Sequence, residues 1–178
     1  MFPAFDVVGV MEVALYTDAL VIRGTVRTRQ RRVSDLLNTA DTPFLLLEDV
    51  TAEELDGSGR PMTATYAQVN LDSVLFAVAN VPVEASPDLR ARKSREVAYI
   101  ATPPFRMVGT LHLTPSEHGL RGALQELDAR FVPVTEVTYW SDHLGLQPRE
   151  ALMVAVNHRR TQILAHHQVV DETGSEPA

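Results

Sequence analysis

Ile22-Arg23-Gly24-Thr25-Val26 and Phe44-Leu45-Leu46-Leu47-Glu48-Asp49-Val50-Thr51 decide the reading of this chain, because each is met twice. The first returns 85 residues later as Met107-Val108-Gly109-Thr110-Leu111, and the second 87 residues later as Phe131-Val132-Pro133-Val134-Thr135-Glu136-Val137-Thr138. Val13-Ala14-Leu15-Tyr16 matches Val97-Ala98-Tyr99-Ile100 at an offset of 84, and Val69-Asn70 matches Val156-Asn157 at 87. The offset creeps upward and never falls back, an order that chance likeness among apolar strands does not keep. Self-similarity of this kind is the mark of a repeated structural unit. Residues 1–83 and 96–170 are therefore expected to be two copies of one small β-barrel-like unit, with a linker over 84–95 and a disordered tail over 171–178.

Within each copy the pattern predicts two strands, a short helix and three more strands. The first two strands are β-branched and apolar and meet at Thr17-Asp18 or at Thr102-Pro103-Pro104, which are turn formers. Val33, Leu36 and Leu37 fall at helical spacing, as do Leu120, Ala123, Leu124 and Leu127, so helices are expected over 33–38 and 120–127. Ser34 is a candidate cap for the first helix and Asn38 a candidate left-handed end. The third strand, over 44–50, is nearly all apolar, which predicts burial on both faces or a strongly bent barrel strand. Polar loops over 53–60 and 141–149 read as exposed hairpin tips. A unit of 65–75 residues is marginal alone, so the two copies are expected to pack together or to pair edge to edge.

Composition narrows the function classes. The chain of 178 residues is 45% hydrophobic and 22% charged, which is that of a folded chain and not of a disordered one. No apolar run is long enough to span a bilayer, and the start lacks the basic region of a signal peptide, so a cytoplasmic protein without a membrane partner is expected. The absence of cysteine excludes disulfides, thiolate catalysis and cysteine-held metals. Net charge is −7 and uneven. Residues 1–88 hold six Arg against thirteen Asp and Glu, whereas residues 89–178 hold nine Arg and one Lys against ten acids. That excess of acid argues against broad electrostatic capture of nucleic acid while leaving room for a local basic patch.

Two motifs resemble an uncharacterised bacterial family of small domains of unknown function. One is Gly24 followed by Arg32-Val33-Ser34-Asp35-Leu36-Leu37-Asn38 and then Phe44-Leu45-Leu46-Leu47-Glu48-Asp49. The other is Val69-Asn70-Leu71-Asp72-Ser73-Val74. More remotely, the strand order and the turn after Asn70 and Asn157 are similar to the Sm-like fold, which includes a bacterial RNA chaperone. Gly24, Asp35 and Asn38 fall in the Sm-like order, with a longer spacing and a helix in the gap. The resemblance implies a mainly β protein of two tandem Sm-like or small-barrel units, each with one short helix. It also implies edge-strand association into a homo-oligomer, in which three chains of two units would close a six-unit ring, and RNA as a candidate partner. Asn157-His158-Arg159-Arg160 is closer to the basic RNA-binding turn than Asn70-Leu71-Asp72-Ser73.

Each polar cluster admits a plain structural reading beside a functional one. Arg32, Ser34, Asp35 and Asn38 form either a ligand or partner site or a capped helical turn. Arg27, Arg29 and Arg31, with His158, Arg159 and Arg160, are candidate nucleic-acid contacts or solvated loop charges. Arg90, Arg92, Lys93 and Arg95 have no aromatic beside them to stack a base and read as a linker. All six His lie in the second copy, with no spacing that a metal motif uses, and Ser141-Asp142-His143 has triad residue types without triad geometry. No cofactor, metal ligand or catalytic residue is assigned. The expected function is non-catalytic: a binding, scaffold or regulatory module whose partner is itself or another protein. RNA binding is the alternative, and an unrecognised enzyme stands third.

Overall fold

The computed structural model describes residues 8–79 and 93–167. The expected tail, and all of the expected linker before Lys93, lie outside the described residues, as do Arg90 and Arg92. The elements are β1 (Gly9–Tyr16), β2 (Leu20–Thr28), α1 (Val33–Asn38), β3 (Phe44–Glu54), β4 (Met62–Asn70) and β5 (Phe76–Ala79), then β6 (Ser94–Thr102), β7 (Phe105–Leu113), α2 (Gly119–Gln125), β8 (Phe131–Ser141), β9 (Leu146–Asn157) and β10 (Ile163–His166). A 3-10 turn, His158–Arg160, leads from β9 into β10. Among the described residues no helix is long and apolar enough to cross a membrane.

The protein is mainly β, and among the described residues ten strands form one open antiparallel sheet in the order β10-β6-β7-β8-β9-β5-β1-β2-β3-β4. The strands of the two halves run into this single sheet because β5 is hydrogen-bonded on both sides. It lies against β1 in its own half and against β9 of the other, with Phe76, Ala77 and Val78 opposite Val156, Ala155 and Val154. An unpaired strand edge leaves peptide groups unsatisfied, and here the edge of one half satisfies that of the other. Among the described residues no further strand pairs beyond β4 or β10.

Period-2 alternation builds the strands. On β7, Phe105, Met107, Leu111 and Leu113 point inward while Arg106 and Thr110 point outward. Along β9 the alternation sends neighbours to different cores at the joint. Met153 and Ala155 join Val33, Leu37, Leu71 and Phe131 in one, and Val154 and Val156 join Tyr16, Phe76, Phe105 and Tyr139 in the other. Each core thus contains side chains from both halves. In the second, Tyr16 stacks on Phe76 at 4.4 Å between centroids, and Phe105 meets Phe76 edge-on at 5.0 Å.

A β-bulge interrupts β2–β3 opposite Gly24 and β7–β8 opposite Gly109. The bulge residues Asp49 and Glu136, 87 apart, are the two non-glycine residues with positive φ among those described, at 50° and 54°. A Cβ on Gly24 would stand 2.9 Å from the Glu48 carbonyl oxygen, and one on Gly109 would stand 2.8 Å from Val134 Cγ1. Both strands therefore need glycine where the bulged strand presses closest.

Several local expectations are revised. Arg32 holds the N-cap position of α1 with no side-chain cap, and Ser34 lies inside the helix with its side chain buried. The helix ends at Thr39 with φ −97°, and no left-handed residue closes it; the Thr39 hydroxyl donates to the Asp35 carbonyl at 2.7 Å. The second helix runs over Gly119–Gln125 instead of 120–127. β6 begins at Ser94, so Arg95 belongs to a strand and pairs with Glu136 at 3.2 Å. The third strand alternates instead of being buried on both faces: Phe44 and Leu46 are exposed while Leu45 and Leu47 are buried.

Candidate functional site

The helical turn holds Arg32, Ser34, Asp35 and Asn38 on one element but does not bring them to one point. Ser34 is buried, whereas the other three are exposed residues. Asn38 is committed to a structural bond. Its Nδ2 donates to the Phe131 carbonyl at 2.8 Å, and its Oδ1 accepts the Phe131 N–H, also at 2.8 Å. The side-chain amide acts as a short piece of strand, tying α1 of the first half to the start of β8 in the second.

The basic candidates lie in two separate places. Arg27 pairs with Glu48 at 3.2 Å near the end of β2, and Arg29 and Arg31 follow it as exposed residues. His158, Arg159 and Arg160 form the turn after β9, where Arg160 approaches Asp18 at 4.0 Å. Asp18 precedes β2, so the two groups lie at opposite ends of a strand of nine residues, roughly 26 Å long at 3.3 Å per residue. The histidines are dispersed as well. Among the described residues no three His, Asp or Glu side chains are placed to hold a metal ion. His112 bonds Thr135 at 2.8 Å. Burial, with Arg95 and Lys93 nearby, holds its pKa below the ordinary value, favouring the neutral ring. Ser141 is buried, donates to the Pro104 carbonyl at 2.7 Å and accepts the Leu144 N–H, while Asp142 pairs with Arg106. These residue types serve a hairpin turn.

A cleft of about 750 Å³ crosses the joint, lined by Glu12, Tyr16, Arg23, Asp49, Tyr139 and Glu150 among others. Arg23 is engaged with Glu53 at 2.7 Å, and the Tyr16 and Tyr139 hydroxyls lie 3.3 Å apart. Burial, then the hydrogen bond shared with Tyr16, holds the Tyr139 phenol above its usual range, so it stays protonated.

The feature that sequence reasoning missed is the contrast between the joint and the two open edges. At the joint, Asn157 is buried and its Nδ2 donates to the Leu71 and Val74 carbonyls at 3.3 and 2.8 Å. Its backbone N–H donates to the Leu75 carbonyl, and Arg130 reaches Asp72 at 2.6 Å. At the free β4 edge, Phe44, Leu46, Met62 and Tyr66 are exposed, and at the β10 edge so is Ile163. Matching Asn70 with Asn157 was the one signal in the sequence that bore on this.

Comparison with family models, with curated proteins and with solved structures finds no match.

Proposed function

We propose that the chain is two copies of one Sm-like small-barrel unit, acting as a non-catalytic binding or scaffold module through its strand edges. The observation that carries this reading is the open sheet, which among the described residues ends in two strands paired on one side only, with Phe44 and Leu46 of β3 and Met62 and Tyr66 of β4 exposed at one end. Isolated surface apolars are ordinary, but apolars gathered on an unpaired edge invite a strand from outside. The repetition of hydrogen bonds supports the two-copy reading. Leu71 N–H donates to Pro43 and His158 N–H to Arg130, both at 2.8 Å, while Leu75 N–H donates to Tyr16 and Gln162 N–H to Ala101, at 2.7 and 2.9 Å. RNA binding is the less favoured reading, since the basic groups are separated and Arg27 is paired.

Residue-resolved amide hydrogen exchange tests the proposal. The outward amides over 62–70 and 163–166 are expected to gain protection as the concentration of the chain or of a protein partner rises. Edge amides that exchange freely at every concentration, with protection by a single-stranded RNA around 158–160, would overturn it in favour of RNA.

A further inference from the structure

The joint inside the chain is a template for a joint between chains. It pairs β5 of the first half with β9 of the second, so the sheet ends in the counterpart of each: β10 corresponds to β5 and β4 to β9. The correspondence is residue by residue. β1–β5 pairs Tyr16 with Phe76 and Leu15 with Ala77, and β6–β10 pairs Ala101 with Ile163 and Ile100 with Leu164. β3–β4 pairs Phe44 with Asn70, and β8–β9 pairs Phe131 with Asn157. We infer that the partner at the open edges is a second copy of this chain, its β4 pairing antiparallel with β10 in the register of β9 with β5. This rests on the edge-strand reading above and names its occupant. The register then sets Val69, Gln68 and Ala67 of one copy opposite Ile163, Leu164 and Ala165 of the other.

Burial argues for this occupant. Phe131 is 0% exposed at the joint, and its counterpart Phe44 is 46% exposed at the edge. Met153 is 9% exposed, and its counterpart Tyr66 is 63%. On the other edge, α2 carries Leu120 and Leu124 half-exposed where α1 carries Val33 and Leu37 buried. Phe44 and Tyr66, uncovered at the edge, are the counterparts of side chains that the joint covers.

The polar groups repeat the pattern. The Asn70 Oδ1 accepts the Asp72 N–H at 2.9 Å, just as the Asn157 Oδ1 accepts the Arg159 N–H at 3.1 Å. Asn157 spends its Nδ2 on two carbonyls across the joint. In the paired copies Asn70 does the same to the His158 and Thr161 carbonyls. Gln125, the last residue of α2, stands where Asn38 stands on α1 and reaches the Phe44 backbone, whose N–H and carbonyl are now served by the Thr42 hydroxyl alone among side chains. Charge is inverted in this second joint. Asp72 of the Arg130–Asp72 pair is replaced by Arg159, and Pro43 replaces Arg130, with exposed Asp41 two residues before it. The intermolecular joint is the weaker of the two. Tyr16, Phe76, Phe105 and Tyr139 of the internal joint correspond to Ala101, Ile163, Leu20 and Ala52, which carry no ring stacking. A head-to-tail contact of this kind is heterologous, so it propagates from copy to copy, into a ring where the rotation closes and a filament where it does not.

The chain has no cysteine, which makes the test clean. Directly opposed residues of antiparallel strands have Cα atoms about 4.5–5.5 Å apart, within the roughly 4.4–6.8 Å that a disulfide accepts. Ala67→Cys and Ala165→Cys chains, mixed under mild oxidation, are expected to form a reducible covalent dimer at least tenfold faster than Tyr66→Cys with Ala165→Cys, whose side chains face opposite sides of the sheet. Adding Asn70→Ala to the Ala67→Cys chain is expected to slow capture. An oligomer that yields no 67–165 disulfide, or one that crosslinks equally well in the shifted pair, overturns this joint and leaves edge association standing. A chain that neither crosslinks nor sediments above its monomer mass, with edge amides unprotected by any protein partner, removes both.

Discussion

Gly109 is hemmed in by Val134 Cγ1, Val137 Cγ2 and the Thr135 carbonyl, which a Cβ would meet at 2.8, 2.9 and 3.1 Å. Gly109→Ala is expected to cost about 1–3 kcal/mol, as overpacking does, read as a fall in the urea midpoint at unchanged slope. Gly24→Ala should behave alike, since the Glu48 carbonyl in its way is backbone. That these two glycines matter was legible from their recurrence at one offset. The task of Asn38 was not, because its partner Phe131 lies 93 residues away and nothing in a capping motif points there. Asn38→Ala leaves the Phe131 N–H and carbonyl without their partner and is expected to cost about 1–3 kcal/mol. His112 gives the pH prediction. Its folded pKa is lowered, so the unfolded chain takes up the proton first, near pH 6.5. Stability is then expected to fall as pH drops from 6.5 through the folded value, and His112→Gln should flatten that fall in thermal midpoints between pH 7.5 and 5.5.

At the scale of the strand, identical patterns acquire different surroundings. Phe44-Leu45-Leu46-Leu47 and Phe131-Val132-Pro133-Val134 read alike, yet the first alternates between exposed and buried while the second is covered on both faces near the joint. Local sequence sets which side chains alternate; it does not say whether a further strand lies beyond, because that depends on pairing between distant segments. Tyr66 and Met153 occupy matching places on β4 and β9, so matching substitutions separate the two environments. Tyr66→Lys is expected to leave monomer stability within about 0.5 kcal/mol, as exposed positions do, while reducing self-association. Met153→Lys buries a charge in the core and is expected to cost about 3 kcal/mol or more. Chemical denaturation of both variants checks the pair.

At the scale of the whole molecule, each core draws side chains from both halves of the chain. Phe131 of the second half lies in a core with Leu37 and Leu71 of the first, and Tyr16 of the first lies in a core with Phe105 and Tyr139 of the second. Calorimetry is expected to show one transition for the intact chain, since each core contains side chains from both halves. The duplicated order of strands could be read from the creeping offset. The continuity of the sheet could not, because any of four edges might have met any other. The account rests on the two open edges being complementary, and sedimentation equilibrium over a range of concentrations tests that most directly. The expected mass climbs above 19.7 kDa as concentration rises, and Tyr66→Lys moves that climb to higher concentration. A mass fixed at 19.7 kDa at every concentration would contradict it.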